Sequence, residues 1–348
     1  MDTGIHQMLW LHIIVLLCSL ANGQDYIPPQ ISGTHVDETR GYELRDFQLI
    51  PPYRNLDDWI LYGDAFASRQ WIRLTRDERS LSGAVWSKNR LSARDWEVQA
   101  HLRLSSDGGI PADGMGIWYT EKYGSGTAWG APARFNGIGV VLDTYTNEAG
   151  ANTAQGARLF ILVNSPAQNA EVDVNLDGNN IKVLPECQFR ANRVVAQYSA
   201  DHPLPTIKIL IRYARDVLQV FYSLPKDNEN QWTHCTNASN LYLPVDYHMG
   251  ISAATGDLTT GHDILSFKVY EIDTFRTSSD KPVTEVQYYG GYMPARAKQS
   301  SYLSDAWSFM HMIIVLALVV IVLYGLYKVT DRYIDENFVT GRPRKRFY

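Results

Sequence analysis

The sequence contains few cysteines, no excess of basic charge and few stretches with helical periodicity. Only 3 of its 348 residues are cysteine, which excludes a disulfide-rich scaffold and a cysteine-rich metal site. The formal net charge of -5 leaves no electrostatic footprint for binding nucleic acid. No Ser/His/Asp arrangement or phosphate-binding glycine loop stands out. With 45% hydrophobic residues, the chain can still bury a full core, which excludes a disordered protein.

The N-terminus has the pattern of a secretory signal. Residues 8–20 form an apolar run, and Ala21-Asn22-Gly23 places small residues where a signal peptidase reads. We therefore predict a signal peptide over residues 1–23. A basic segment before the run is missing, and the alternative is a buried N-terminal helix.

Residues 306–327 contain no Asp, Glu, Lys or Arg. As a helix rising about 1.5 Å per residue, they would cross roughly 33 Å, slightly more than a hydrocarbon core. The tail, residues 328–348, holds six Lys and Arg residues, whereas the preceding flank 292–308 holds two. This asymmetry predicts a cytosolic tail and a single-pass type I membrane protein. Residues 276–305 have the composition of a luminal linker.

Cleavage of the predicted signal peptide would remove Cys18. Cys187 and Cys235 would then be the cysteines left in an oxidising lumen. We predict that these two form a disulfide, and the alternative is two free buried thiols. Asn237-Ala238-Ser239 is the one glycosylation sequon. Its place two residues after Cys235 predicts an exposed loop that carries a glycan on Asn237.

Short apolar segments recur between the signal peptide and the predicted span. Nine of them are predicted strands: 70–75, 96–104, 114–120, 138–145, 157–163, 207–213, 217–224, 248–253 and 264–272. The sixth and seventh flank Ala214-Arg215-Asp216, which predicts a hairpin. The regular strand spacing predicts an all-β sandwich as the luminal domain, residues 24–275.

Short oxygen-bearing side chains follow one of these segments. Asp143-Thr144-Tyr145-Thr146-Asn147 comes directly after the apolar run 138–142, and calcium selects hard oxygen ligands of this kind. A second acidic segment covers residues 173–178, and Asp113 precedes another strand. Taken alone, each of these segments is also typical of an Asx turn.

Two further stretches occur in a defined order with these segments: residues 73–80, and residues 250–258 followed by 262–267. Together with Asp143-Thr144-Tyr145 and the two luminal cysteines, they make the chain resemble the animal L-type lectins of the early secretory pathway. The resemblance is to the vesicular integral-membrane lectin branch, and it runs from about Gly41 to Phe275 and again through the membrane span to the C-terminus. It implies a jelly-roll β-sandwich followed by a single transmembrane helix.

The resemblance also implies a function and a set of site residues. It implies a non-enzymatic, calcium-dependent lectin that binds high-mannose N-glycans and carries glycoproteins between the endoplasmic reticulum, the intermediate compartment and the Golgi. The implied calcium ligands are the side chains of Asp143, Asn147 and Asp177 and the carbonyl of Tyr145. The implied sugar contacts are Asp113, Asn147, Gly256, Asp257 and Leu258, with a cis peptide between Ala112 and Asp113.

Val174 departs from the family pattern, which has a mannose-binding His three residues before the acid that Asp177 matches. Valine offers neither a donor nor an acceptor, so one hydrogen bond of about 0.5–1.5 kcal/mol is lost. Asp173 and Asn175 would point to the opposite face if this stretch is extended. The alternative function is therefore a lectin fold that has lost sugar affinity and binds a protein partner directly.

A remote alternative is a glycoside hydrolase. Residues 171–175 are similar to the E-x-D-x-E order of sandwich-fold glucanases, in which carboxylates carry out the acid-base and nucleophilic steps. Asn175 stands at the third carboxylate position, and an amide cannot perform acid-base work at neutral pH. An ordinary surface strand is the favoured interpretation of this stretch.

The cytosolic tail ends in a basic run followed by Phe347-Tyr348. Basic residues beside a membrane attract anionic lipids, at about 1 kcal/mol per charge. The resemblance implies that vesicle-coat proteins read the terminal aromatic pair for exit from the endoplasmic reticulum. Arg346 stands where a dilysine retrieval signal has Lys, which argues against retrieval by that route.

Overall fold

The computed structural model describes residues 39–107, 110–145, 156–168, 170–176, 181–190, 194–197, 206–224, 232–274, 281–290 and 323–329. The chain divides into two compact units, Met1–Arg296 and Ala297–Tyr348. In the second unit, residues 323–329 are helical. Within the described ranges, no helix has the length and apolar character needed to cross a membrane. Residues 306–322 of the predicted span and the whole predicted signal peptide lie outside those ranges, and both stay predictions.

The first unit is built from β-strands that make two stacked sheets. The strands are β1 (Thr39–Glu43), β2 (Trp59–Gly63), β3 (Phe66–Ala67), β4 (Ile72–Thr75), β5 (Ser82–Ser87), β6 (Trp96–Ser106), β7 (Gly114–Thr120), β8 (Gly137–Asp143), β9 (Gly156–Asn164), β10 (Lys182–Val183), β11 (Cys187–Arg190), β12 (Val195–Gln197), β13 (Thr206–Ala214), β14 (Val217–Ser223), β15 (Thr233–Ser239), β16 (Leu241–Tyr242), β17 (His248–Ala254), β18 (Gly261–Asp273) and β19 (Gln287–Tyr288). In the described ranges, 3₁₀ helices span Arg45–Phe47 and Val174–Leu176.

The larger sheet has nine strands in the order β15-β14-β13-β6-β18-β4-β3, with β1 beside β18 and β12 beside β6. The smaller sheet has eight strands in the order β10-β9-β8-β7-β17-β5-β2, with β11 beside β9. The remaining pair, β16 and β19, lies outside both sheets. All neighbours pair antiparallel except β12 with β6, and strands next to each other in a sheet are often far apart in the sequence.

The core between the sheets follows from the alternation of side chains along each strand. In β8 it receives Ile138, Val140 and Leu142, and in β13 it receives Ile207 and Ile209. Each such side chain contributes about 1.5–3 kcal/mol when fully buried. This continuous core fixes the strand register, because a slip of one residue would turn these side chains to the opposite face of their sheet.

The opposite face of the eight-stranded sheet is buried as well, by a second group of apolar residues that we call the outer cluster. Its buried members are Ala84, Trp86, Trp118, Ala128, Trp129, Ala131, Ala133, Phe135, Val141, Phe160, Leu162, Val172 and Ile181. The loop 121–136 supplies five of them. The Trp118 Nε1–H donates to Ser252 Oγ (2.8 Å), and the Ser252 hydroxyl donates to the Trp129 carbonyl (2.6 Å), which holds this loop on the sheet.

The nine predicted strands are confirmed as β4, β6, β7, β8, β9, β13, β14, β17 and β18. The predicted hairpin is confirmed too, since β13 pairs with β14 up to Ala214 and Val217. Its turn has Arg215 at φ 47° and Asp216 at φ 63°. Two consecutive left-handed residues match the type I′ turn that suits the twist of a two-residue hairpin.

The folded structure includes residues beyond 275, where the predicted luminal domain ends. Residues 281–290, assigned from composition to the linker, contain β19, which pairs with β16. Val286 is only 3% exposed and joins the core between the sheets. One buried aliphatic residue and a two-residue strand give no detectable period in the sequence, and the composition of this stretch therefore predicted a linker.

Cys187 and Cys235 form a disulfide in the structure, with Cα atoms 5.3 Å apart. Cys187 begins β11 at the edge of the eight-stranded sheet, and Cys235 lies in β15, the edge strand of the nine-stranded sheet. The bond therefore joins the two sheets along one side of the sandwich.

The exposed loop predicted around the glycosylation sequon is wrong. Asn237 lies within β15, opposite Gln219 of β14, and is 4% exposed. The polar composition of Thr233–Ser239 hides a strand whose last four residues are buried. Glycosylation of Asn237 stays a prediction, and its burial in the folded domain speaks against it.

The disulfide yields a stability prediction. The double variant Cys187→Ser, Cys235→Ser should unfold at lower denaturant concentration, because closing a loop with a sequence separation of 48 residues constrains the unfolded chain. The chain-entropy model gives a loss of about 4 kcal/mol. Denaturation with and without reductant checks this: reductant should destabilise the wild type and leave the variant unchanged. Mass spectrometry under non-reducing conditions that finds both native thiols free would contradict the pairing.

Candidate functional site

A polar cleft of about 890 Å³ lies at one end of the eight-stranded sheet. Its lining residues are Ala112, Asp113, Thr127, Tyr145, Glu171, Val172, Asp173, Val174, Asn175, Gly256, Asp257 and Leu258. Antiparallel pairing explains the convergence. Gly114 at the start of β7 pairs with Asp143 at the end of β8 and with Ala254 at the end of β17. The segments adjoining these three positions therefore meet at one end of the sheet.

Asp113 is fixed at the floor of the cleft by its backbone. Its N–H donates to the Ala254 carbonyl (3.2 Å), and its carbonyl accepts from the Thr144 N–H (3.0 Å). The Ala112–Asp113 peptide is cis, as the resemblance implied. Burial, and secondarily the nearby Asp257 carboxylate, raises the pKa of Asp113 to about 6. The cleft thus presents a partly desolvated carboxylate in a fixed position.

The segment 256–258 forms the wall beside Asp113. Thr255 anchors it, because its hydroxyl donates to the Glu78 carbonyl (2.7 Å) and accepts from the Leu81 N–H (3.0 Å). A Cβ atom added to Gly256 would lie 3.4 Å from both carboxylate oxygens of Asp113. Glycine here leaves the space over that carboxylate open.

A chain of hydrogen bonds supports the cleft from below. The Thr75 hydroxyl donates to the Thr260 carbonyl (3.0 Å) and lies 2.7 Å from His262 Nδ1, and this assigns the ring proton to Nδ1. The Thr260 hydroxyl accepts from the Ala112 N–H (3.0 Å). Burial lowers the pKa of His262 to about 4, so the ring is neutral near pH 7. His262 is thus a structural residue. No pattern in the sequence points to Thr75 and Thr260.

The segment 171–175 forms the opposite wall and is not extended. The Val172 N–H donates to the Ala133 carbonyl (2.8 Å), after which Val174–Leu176 forms a 3₁₀ helix. The Asp173 carboxylate accepts from the Asn175 N–H (2.9 Å). The predicted surface strand is therefore wrong, and so is the expectation that Asp173 and Asn175 point away from Val174. A 3₁₀ turn has three residues per turn and does not alternate faces, which is why all three line the cleft.

Val174 is half-buried and packs against the outer cluster while it also lines the cleft. Its position in the cleft agrees with the site that the resemblance assigns to the missing His. The Val174 side chain and Val172 make part of this wall apolar. The polar side chains next to Val174 on the wall are those of Asp173 and Asn175.

Of the implied calcium ligands, Asp143 and Tyr145 lie in the described part of the chain, whereas Asn147 and Asp177 lie outside it. Asp143 is 2% exposed at the end of β8. Within the described ranges, no cluster of three or more His, Cys, Asp and Glu residues could hold a metal. The donor chemistry nevertheless fits calcium, since two carboxylates, one amide oxygen and one carbonyl are all hard oxygen ligands.

Both carboxylate oxygens of Asp143 already accept hydrogen bonds. Oδ1 accepts from the Tyr145 N–H (3.0 Å), and Oδ2 accepts from Arg158 Nη2 (2.9 Å). Arg158 lies directly opposite Asp143 in the β8–β9 pair and is 8% exposed. Its Nη1 reaches Glu186 Oε2 at 3.3 Å, and its guanidinium lies over the Phe160 ring at 5.4 Å.

The sequence reasoning missed Arg158. A signal was present, because Arg158 is the one charged residue in the apolar strand Gly156–Asn164. A lone charge in a strand buried on both faces needs a partner. The residue that supplies it, Asp143, could be identified only once the register between β8 and β9 was known.

Two stacked sheets with this cleft at the end of one of them make a β-sandwich of the legume-lectin type. The chain belongs to the legume-like lectin family, whose model matches residues 39–279. This confirms the resemblance noted in the sequence and the all-β sandwich predicted from it. The VIP36-like protein of Bos taurus is 30% identical over 97% of this chain and 93% of its own length. Vesicular integral-membrane protein VIP36 of Mus musculus is 29% identical over 69% of this chain and 65% of its own.

A solved structure gives the same picture. The crystal structure of the VIP36 exoplasmic/lumenal domain in its Ca2+/Man3GlcNAc-bound form superposes with a TM-score of 0.61 at 28% identity. The match covers 71% of this chain and 99% of that domain.

Proposed function

We propose that this protein is a calcium-dependent lectin that binds high-mannose N-glycans and serves as a cargo receptor between the endoplasmic reticulum and the Golgi. The observation that carries the proposal is the convergence of Asp113 and the segment 256–258 in one polar cleft beside Asp143 and Tyr145. Membership of the lectin family and the sugar and calcium ion named for the related VIP36 domain support it.

The chemistry of the cleft suits a neutral, hydroxyl-rich ligand. The Asp113 carboxylate accepts hydrogen bonds from hydroxyl groups, and the Asp257 side chain and the backbone of Gly256 and Leu258 add polar groups around it. Since Asp113 is fixed by strands on both sides, little ordering cost remains when a sugar binds.

Calcium would be held by the side chains of Asp143, Asn147 and Asp177 and by the Tyr145 carbonyl. A bound divalent cation supplies a hard positive centre that fixes the carbonyl and carboxylate groups of the adjoining segments. Asn147 is then shared between the ion and the sugar, which couples the two binding events.

The segment 171–175 does not carry the carboxylate set of the sandwich-fold glucanases. Acid-base hydrolysis needs two carboxyl groups that flank the scissile bond. Glu171 and Asp173 lie on the same wall, with Glu171 3.7 Å from Arg134, and Asn175 cannot transfer a proton at neutral pH. We therefore propose that the protein binds glycans without cleaving them.

The names of the relatives support a membrane location in the early secretory pathway. We extend this to a single-pass type I protein with residues 306–327 in the bilayer and the lectin domain in the lumen. The tail, residues 328–348, would then contact anionic lipids and the vesicle-coat proteins.

The first test measures the full-length protein in detergent micelles on a glycan array, with saturating calcium and with chelator. Mannose-rich glycans should bind with calcium and lose binding with chelator. Asp113→Asn should remove binding, because an amide cannot replace both acceptor oxygens, whereas Asp64→Asn, at an exposed turn, should not. Calcium-independent binding, or no binding by the wild type, would contradict the proposal. The second outcome would favour a lectin fold that binds a protein partner.

A second test uses the glycine beside Asp113. Gly256→Ala should weaken glycan binding by about tenfold, because its methyl group contacts both carboxylate oxygens and displaces a ligand hydroxyl. Gly124→Ala is the matched control, since its added Cβ would meet only the Pro132 side chain at 3.6 Å. Calorimetry gives the affinities and thermal denaturation the stabilities. Equal affinities in the two variants would show that the ligand does not lie over Asp113.

A third test concerns the missing donor. Val174→His should bind a mannose-rich glycan several-fold to about tenfold more tightly than the wild type at saturating calcium, since it restores one hydrogen bond. Val174→Leu is the control for a change of size without a donor. Equal affinities of the His variant and the wild type would mean that Asp173 or Asn175, which share this wall, already supply the contact.

A further inference from the structure

The ion pair between Asp143 and Arg158 has a consequence for metal binding. We propose that Arg158 is the internal counter-ion of the calcium site, which neutralises Asp143 when no metal is bound and lowers the calcium affinity of the protein. The inference rests on the proposed calcium site, because it concerns one of the ligands named there.

The pair is built into the sheet. Asp143 and Arg158 face each other across two neighbouring strands of the eight-stranded sheet, so their side chains leave on the same face. Both are almost fully buried, and the Nη2–Oδ2 distance is 2.9 Å. A salt bridge between two exposed side chains could dissociate at little cost, but a buried one holds each charge in place until another charge replaces it.

The guanidinium and a calcium ion would compete for the same carboxylate. Calcium ligands lie about 2.3–2.6 Å from the ion, so an ion on Asp143 would sit within a few ångströms of the guanidinium. The two positive charges repel each other strongly in a partly desolvated site. Arginine cannot relieve this by losing a proton, because it stays charged at every physiological pH.

Glu186 offers the displaced guanidinium a second partner. Its Oε2 already lies 3.3 Å from Arg158 Nη1, and the Phe160 ring below the guanidinium provides a surface on which it can slide. We infer that calcium binding moves the guanidinium from Asp143 towards Glu186, so that both cations keep an anionic partner.

Calorimetric titration of the full-length protein in micelles with calcium chloride tests this without any sugar. Arg158→Gln should bind calcium about tenfold or more tightly than the wild type, because one nearby positive charge is gone. The matched control is Arg212→Gln in the nine-stranded sheet, where the buried Arg212 pairs with the buried Glu97 at 2.7 Å, at the end of β6 opposite to Ser105 and Gly261. This control loses the same charge far from the cleft and should bind calcium within about twofold of the wild type.

Two more measurements keep the inference testable if Arg158→Gln folds poorly. Arg158→Lys keeps the charge and should leave calcium affinity close to that of the wild type. Glu186→Gln removes the second partner of the guanidinium and should weaken calcium binding several-fold. Thermal denaturation adds a readout. In chelator, Arg158→Gln should have a lower melting temperature than the wild type, and calcium should raise its melting temperature by more.

The outcomes separate this inference from the proposed function. Equal calcium affinity in the wild type and Arg158→Gln would overturn the role of Arg158 and leave the calcium site intact. Calcium binding by Arg158→Gln alone would support the inference and show that in the wild type the arginine keeps the ion out. No binding by either protein would overturn both.

Discussion

The cleft depends on tryptophan rings that lie flat on glycines of the eight-stranded sheet. A Cβ atom at Gly139 would approach the Trp118 ring to 2.4 Å, and one at Gly250 would approach the Trp86 ring to 2.2 Å. Any larger residue would lift the indoles and the loop above them. Because the rings lie close to the sheet, the loop 121–136 and the segment 171–175 can pack over them and form one wall of the cleft. The packing of the outer cluster thus places the polar groups of the segment 171–175 at the end of the sheet, beside the cleft.

Charge in this region is balanced locally. Burial, and secondarily the nearby Asp257 carboxylate, raises the pKa of Asp113. Asp143 instead has a cation within hydrogen-bonding distance. Asp113 and Asp143 adjoin neighbouring strands, yet their surroundings differ in kind. The Asp113 carboxylate can accept hydrogen bonds from a ligand, whereas the charge of Asp143 is already balanced by Arg158. The pairing register of β7, β8 and β9 holds Asp113 and Asp143 in these two environments, because it places Asp143 between Gly114 and Arg158.

The sequence predicted the long strands and missed the short ones for a physical reason. Runs such as Ile207–Tyr213 show a period over seven residues, whereas two-residue strands such as Gln287–Tyr288 show none. Thr233–Ser239 is a strand without an apolar pattern, because its buried residues are small or polar. In the site, Asp113, Tyr145 and the segment 256–258, which the resemblance named, line one cleft. Arg158 and the turn at 173–175 depend on pairing register and local geometry, which residue order alone does not reveal.

The walls of the cleft come from positions that are distant in the chain: residues 112–113, 145, 171–175 and 256–258. No fragment that lacks β17 can assemble them, so the cleft exists only after the last strands of the sandwich have paired. Any molecule that occupies it binds the finished domain and not its precursors. At a hundred times its dissociation constant, such an occupant adds about 2.7 kcal/mol to the stability of the entire sandwich. Occupancy of the cleft and the free energy of unfolding are therefore linked, and losing a ligand lowers the stability of strands far from where it was held.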